Sequence, residues 1–134
     1  MSQNVVLSTV DDRGVATITL NRPEVHNAYD ERLIDELAGT LQGLREDRRV
    51  RVVVLRGNGK HFQAGADLNC LRRLASATPE QNFAFSLRTT EAMRRLNAFP
   101  RPTMAWCKAP AMAAGSAWSP AATWRSPRNR RPSR

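Results

Sequence analysis

Gly59-Lys60-His61-Phe62-Gln63-Ala64-Gly65-Ala66-Asp67-Leu68-Asn69 is the stretch around which the rest of the chain is organised. It follows an apolar strand candidate, Val50 to Arg56, and precedes a helical pattern that begins near Asp67. Ala64, Gly65 and Ala66 therefore fall at a strand-to-helix turn, where small side chains leave backbone amides unobstructed. The first amides of a helix lack intrahelical acceptors and sit at the positive end of its dipole. Such a place suits a phosphate or a developing oxyanion. A plain turn of small residues capped by Asp67 fits the same letters, so the neighbouring segments decide.

Composition narrows the choice. The 134 residues suffice for one domain with a buried core. Neither a leader pattern nor an apolar run of membrane-spanning length is visible, so no membrane partner is expected and a reducing, cytoplasmic setting is the default. Cys70 and Cys107 have neither metal-ligand nor disulfide-framework spacing, and no metal or separate cofactor is expected. The net charge of +9 is unevenly placed: residues 1–105 carry 15 basic and 12 acidic side chains, whereas residues 106–134 carry Lys108, five arginines and no acid. Those last residues also lack Val, Ile, Leu and Phe, yet hold all three tryptophans and half of the eight prolines. Two compositions meet after Ala105. The spans 1–105 and 106–134 are therefore read separately, the second as a solvated tail expected to be disordered.

Read in order, Val5 to Val10 is a short strand and Asp11-Asp12-Arg13-Gly14 the turn of a hairpin. Val15 to Leu20 alternates, with Ala16, Ile18 and Leu20 on one face. Pro23 stops that strand. Asp30 is an N-cap candidate for a helix whose apolar face is Leu33, Ile34, Leu37, Leu41 and Leu44. Val52 to Leu55 reads as a strand buried on both faces. A strand, a helix and a second strand joined by a long crossover imply parallel pairing in an α/β layer. Leu68, Leu71 and Leu74 mark a short helix. Thr78-Pro79-Glu80-Gln81 is a capping box opening a helix with Phe83, Leu87, Met93 and Leu96 in its apolar stripe. Arg101 to Ala105 starts a further buried strand that Trp106 is expected to interrupt.

Three blocks resemble the crotonase superfamily of enoyl-CoA hydratases and isomerases: Val15 through Glu24 to Asn27-Ala28, Val52 through Gly57 to Asp67-Leu68, and Arg101-Pro102-Thr103. They follow family order and spacing across residues 5–105. Lys60 to Gln63 and Asp67 to Asn69 look closest to the methylglutaconyl-CoA and isohexenylglutaconyl-CoA hydratase branch. The resemblance implies an α/β fold built as a spiral of strand-strand-helix turns, present here in its N-terminal half. It implies an acyl-CoA thioester as substrate, with CoA part of that substrate, and hydration of a 2-enoyl-CoA as the reaction. Ala66 would then supply one oxyanion-hole N–H. Ala64, Asp67 and Leu68 would line the adenine and pantetheine path, Val25 and Ala28 would close over CoA, and Arg22 would lie near its phosphates. His26 is expected to have a structural or CoA-contact role, and Cys70 to be a packed small residue. Family members form homotrimers or hexamers, an assembly not expected of this chain.

After Ala105 the family carries a Gly-Pro turn, a glycine run giving the second oxyanion amide, and then its catalytic glutamates. Residues 106–134 carry no carboxylate side chain to activate water. Regrouping their back-translated codons by one base forces valine from Trp106-Cys107, glutamine or a stop from Cys107-Lys108, and glycine from Met112-Ala113. These fall at family positions, so the tail reads as the family segment translated in a shifted frame. The chain as given is therefore expected to have little or no hydratase activity. A non-catalytic CoA-binding module and nucleic-acid binding through Arg125 to Arg134 are the alternatives, the latter disfavoured against a solvated tail.

Overall fold

A computed structural model describes residues 3–107, and the structural statements below concern those residues. Strands β1 (Val6–Val10) and β2 (Val15–Leu20) form an antiparallel hairpin. Its turn is closed by the Asp11 carboxylate, which accepts the N–H groups of Arg13 and Val15 at 2.9 Å. Gly14 completes it at φ +83°, where a Cβ would lie 2.5 Å from the Arg49 carbonyl. The crossover helix α1 (Glu31–Glu46) begins as expected, with the Asp30 side chain accepting the Leu33 N–H at 2.9 Å. Strand β3 (Val52–Gly57) then pairs parallel to β2, from Val15 opposite Val52 to Leu20 opposite Gly57. After α2 (Leu68–Ala75) and α3 (Pro79–Asn97), strand β4 (Thr103–Trp106) pairs parallel to β3. The sheet order is β1-β2-β3-β4.

One face of this sheet carries the core. Ala16, Ile18 and Leu20 of β2 join Val53 and Leu55 of β3 against Leu33, Ile34, Leu37, Leu41 and Leu44 of α1. These are the β2 and α1 faces read from the sequence. The β1 backbone is tied down by Glu36, whose carboxylate accepts the N–H groups of Val5 (2.8 Å) and Val6 (3.0 Å).

Four expectations need correction. β3 is not buried on both faces, because the α1 core gathers on the face that carries Val53 and Leu55; Val52 and Val54 are half-buried beside those two fully buried residues. The last strand is not cut short at Trp106. Backbone pairing to β3 tolerates the bulky residue, and its side chain projects into solvent. On α2, Leu68 and Leu71 are exposed and Cys70 is the residue turned inward. On α3, Ala92 and Leu96 are buried and Met93 is half-buried, but Phe83 and Leu87 are exposed.

The α3 result follows from the alignment of two helices. Arg88 pairs with Asp35 near the start of α1, and Arg95 donates to the Ala38 carbonyl one turn further on. The two helices thus run side by side in the same direction. Just before Arg88, Phe85 stacks on Tyr29 with ring centroids 6.4 Å apart, while Phe83 and Leu87 lie two positions to either side of it and face elsewhere; periodicity alone cannot report which flank of a stripe meets a partner. Leu37→Ala is therefore expected to cost about 2–5 kcal/mol by leaving a cavity, while Leu87→Ala shifts stability by no more than about 0.5 kcal/mol. Denaturant melts of the two variants check the ordering. Equal costs would place Leu87 in a packed interface.

Candidate functional site

The loop after β2 is shaped by Asn27. A single 3-10 turn, Pro23–Val25, leads into His26 and Asn27, both in the left-handed region at φ 55° and 60°. Asparagine tolerates that conformation better than most residues. Asn27 is fully buried, and its Oδ1 accepts the Arg22 N–H at 2.8 Å. Its Nδ2 donates to the carbonyls of Asn58 (2.9 Å) and His61 (3.0 Å). One side chain thus ties the loop of residues 22–28 to the loop after β3. Gly57 makes room for it: a Cβ there would fall 2.7 Å from Asn27 Nδ2 and 2.4 Å from the Phe62 carbonyl. His26 packs edge-on against His61 with ring centroids 4.4 Å apart.

A second tie fixes the small-residue turn. Tyr29 and Ala66 form an isolated parallel β-bridge, in which the Tyr29 N–H donates to the Gly65 carbonyl (2.9 Å) and the Asp67 N–H donates to the Tyr29 carbonyl (2.8 Å). In a parallel bridge the bonds run to the residues on either side of the partner, so the N–H of Ala66 itself points away from Tyr29. Among the described residues no acceptor takes it. Ala66 is half-buried, Gly65 is buried at φ 92°, and Asp67 then caps α2 by accepting the Cys70 N–H at 3.0 Å. The geometry is that of an available backbone donor immediately before a helix N-terminus, as an anionic oxygen would require.

Arg22 occupies the space between these loops. Its Nη1 donates to the Ala28 carbonyl at 2.6 Å and lies 3.5 Å from Asp30 Oδ2, and its Nη2 donates to Asp67 Oδ2 at 3.1 Å. The Arg22 and Asp67 side chains are only 15% and 8% exposed. Arg22, read from sequence as lying near the CoA phosphates, has its guanidinium hydrogen-bonded to protein groups. It joins the cap of α1, the cap of α2 and the Ala28 carbonyl. Arg22, Ala28 and Asp67 are thereby brought together. Ala64 and Ala66 flank Gly65 on the same turn, half-buried. Val25 lies half-buried in the 3-10 turn, its carbonyl accepting the Ala28 N–H at 3.0 Å. Leu68 stands exposed in the first turn of α2. Two organising residues escaped the sequence reading, Asn27 and the buried Gln63. The signal for both was a polar letter beside small or positive-φ positions.

Burial works to raise the Asp67 carboxyl, but the Cys70 N–H and the Arg22 charge and hydrogen bond outweigh it and hold the group below the ordinary 3.8. Asp67 is thus an anion committed to a cap and an ion pair, not a proton carrier. Burial, reinforced by the Glu31 charge, pushes the Cys70 thiol above its usual range, in keeping with a packed residue. Two shallow surface concavities, of about 430 and 390 Å³, lie elsewhere, beside Met93 of α3 and beside Glu36 of α1. The basic residues Arg125 to Arg134 lie outside the described residues.

The Asp67 shift has a testable consequence. A carboxyl held low in the folded state stabilises the fold above its ordinary value and loses that contribution as pH falls through the folded value. Asp67→Asn keeps a capping oxygen but removes the charge facing Arg22. It is expected to cost about 1–3 kcal/mol at neutral pH, with the gap to the parent closing below about pH 4 in thermal melts. A gap independent of pH would show that the ion pair contributes nothing.

Comparison with known proteins places this arrangement. The enoyl-CoA hydratase/isomerase family model matches residues 11–122, continuing past the composition change after Ala105. The human mitochondrial enoyl-CoA hydratase domain-containing protein 2 is 40% identical over 95 residues, covering 70% of this chain and 32% of its own. The 1,2-epoxyphenylacetyl-CoA isomerase of Escherichia coli is 34% identical over 113 residues, covering 83% and 42%. The crystal structure of an enoyl-CoA hydratase from Shewanella pealeana superposes with a TM-score of 0.73 at 37% identity, covering 75% of this chain and 38% of that one. The chain spans less than half the length of each of these proteins. With a hydratase and an isomerase alike among its relatives, and with the hairpin, crossover helix and Ala66 turn in place, the chain belongs to the enoyl-CoA hydratase/isomerase family, in the crotonase superfamily.

Proposed function

We propose that residues 3–107 furnish one half of an acyl-CoA site, in which the Ala66 N–H hydrogen-bonds the thioester carbonyl and stabilises the enolate formed as an enoyl-CoA is hydrated or isomerised. The observation that carries this reading is the Ala66 amide: half-buried, without an acceptor among the described residues, and next to the α2 N-terminus. A thioester α-carbon is acidified only if charge moving onto its oxygen is met by preplaced donors. Chain-matching to hydratases and isomerases supports a common enolate-like intermediate and leaves the final proton's position to the carboxylates. Ala64, Val25, Ala28 and Leu68 belong to the CoA side of the site in this proposal. Arg22 and Asp67 hold its two walls together rather than touching phosphate.

The second oxyanion donor and the general acid-base glutamates belong to positions after Ala105, where the composition changes to a stretch without acidic residues. A one-base shift of reading frame accounts for that change. The proposal therefore separates binding from turnover. The polypeptide of this sequence is expected to bind crotonyl-CoA in calorimetry and to leave it unhydrated, with the ultraviolet absorbance of its conjugated thioester constant over hours. A gene carrying the family segment in frame after Ala105 is expected to restore loss of that absorbance. No heat of binding by the given chain would sink the acyl-CoA reading, and hydration by it would sink the requirement for the later carboxylates.

A further inference from the structure

Gln63 is only 1% exposed, although a long polar side chain buried beside a turn carries both ordering and desolvation costs. Its carboxamide makes two hydrogen bonds to the same residue: Nε2 donates to the Gly65 carbonyl at 2.9 Å, and Oε1 accepts the Gly65 N–H at 2.8 Å. The partners fix which end is which, because the reverse orientation would set donor against donor and acceptor against acceptor. The Gly65 carbonyl also receives the Tyr29 N–H at 2.9 Å. That carbonyl and the Ala66 N–H are opposite ends of one peptide group, which is planar and trans, so they point in opposite directions. Two donors anchored on the oxygen therefore aim the N–H. Charge drawn toward the oxygen also makes the N–H a better donor, as in any chain of hydrogen bonds.

We infer that Gln63 is a positioning residue for the Ala66 donor: its side chain, with the Tyr29 N–H, orients and polarises the 65–66 peptide so that the Ala66 N–H faces the thioester oxygen. The Tyr29 contribution is main chain and available to any residue other than proline at that position. The Gln63 contribution depends on a carboxamide of this length, since one group must accept from Gly65 and donate to it. The functional meaning of this role rests on the acyl-CoA reading above; the hydrogen-bond geometry does not.

The test uses the full chain with Gln63→Met, which keeps the side-chain volume and removes both hydrogen bonds. Amide exchange and nitrogen chemical shifts are read by NMR. In the variant the Gly65 N–H is expected to exchange at least about tenfold faster. The Ala66 nitrogen resonance should move upfield as the Gly65 carbonyl of the same peptide group loses a donor, with the remaining spectrum and the melting temperature showing an intact fold. An unmoved Ala66 resonance overturns the inference, whatever happens to Gly65. If Gln63→Met does not fold, Gln63→Ala is measured by the same criteria. A second arm adds dimethylaminocinnamoyl-CoA, whose absorption shifts to the red when its carbonyl is polarised. The parent is expected to shift it, and the variant to shift it less and bind it about tenfold more weakly. A full red shift in the variant overturns the inference. No shift with the parent defeats the acyl-CoA reading, and the amide measurements still decide the role of Gln63.

Discussion

Everything at the site depends on the short backbone pairing of Tyr29 with the residues either side of Ala66. Parallel pairing alternates which residues spend their amides on the neighbour and which keep them. Here the Gly65 carbonyl and the Asp67 N–H are spent on Tyr29, so Ala66 keeps its N–H. Shifting the register by one residue would engage Ala66 and release a neighbour facing elsewhere. The surrounding contacts can be understood as defences of that register. Asn27 binds the carbonyls of Asn58 and His61, Arg22 bridges Ala28 and Asp67, and Asp67 caps the helix that follows.

The two ionic and amide clamps differ in how they resist disruption. Arg22 has three partner groups on two segments, so removing Asp67 leaves the guanidinium with Asp30 and the Ala28 carbonyl. Asn27 has no such redundancy. Its amide is fully buried and serves one donor and two acceptors at once, and Gly57 leaves a space fitted to it. Breaking a buried network of this kind costs more than any one of its bonds would suggest.

Sequence disclosed the parts of the fold whose causes are local. The alternation of Val15 to Leu20, the Asp30 cap, the five-residue apolar face of α1 and the Thr78 capping box all depend on neighbours within a few residues, and each is present. What failed depended on distant chain. Leu68, Leu71, Phe83 and Leu87 have the spacing of a buried stripe, yet nothing among the described residues covers them. The second face of β3 is similar, since a run of valines says that both faces tolerate burial, not that both receive it. At the site, the small letters from Ala64 to Ala66 revealed the turn. They did not reveal that Arg22 would face inward, because a charge in a loop gives no hint of carboxylates brought beside it from other segments. Gln63 and Asn27 were illegible for a different reason: their partners, near for Gln63 and distant for Asn27, are backbone atoms, which every residue possesses.

The left-handed Asn27 carries one more consequence, chemical rather than conformational. Its Nδ2 lies within hydrogen-bond reach of two carbonyl oxygens. Hydrolysis of that carboxamide to a carboxylate would exchange a donor for a negative oxygen at the same spot and set it against both carbonyls. The change alters chain mass by about one dalton and removes no carbon atom, yet it would turn the seam between two loops from cohesive to repulsive. The Ala28 N–H, whose attack on the side chain begins such ageing, is engaged by the Val25 carbonyl at 3.0 Å, so the attack would first have to break that hydrogen bond.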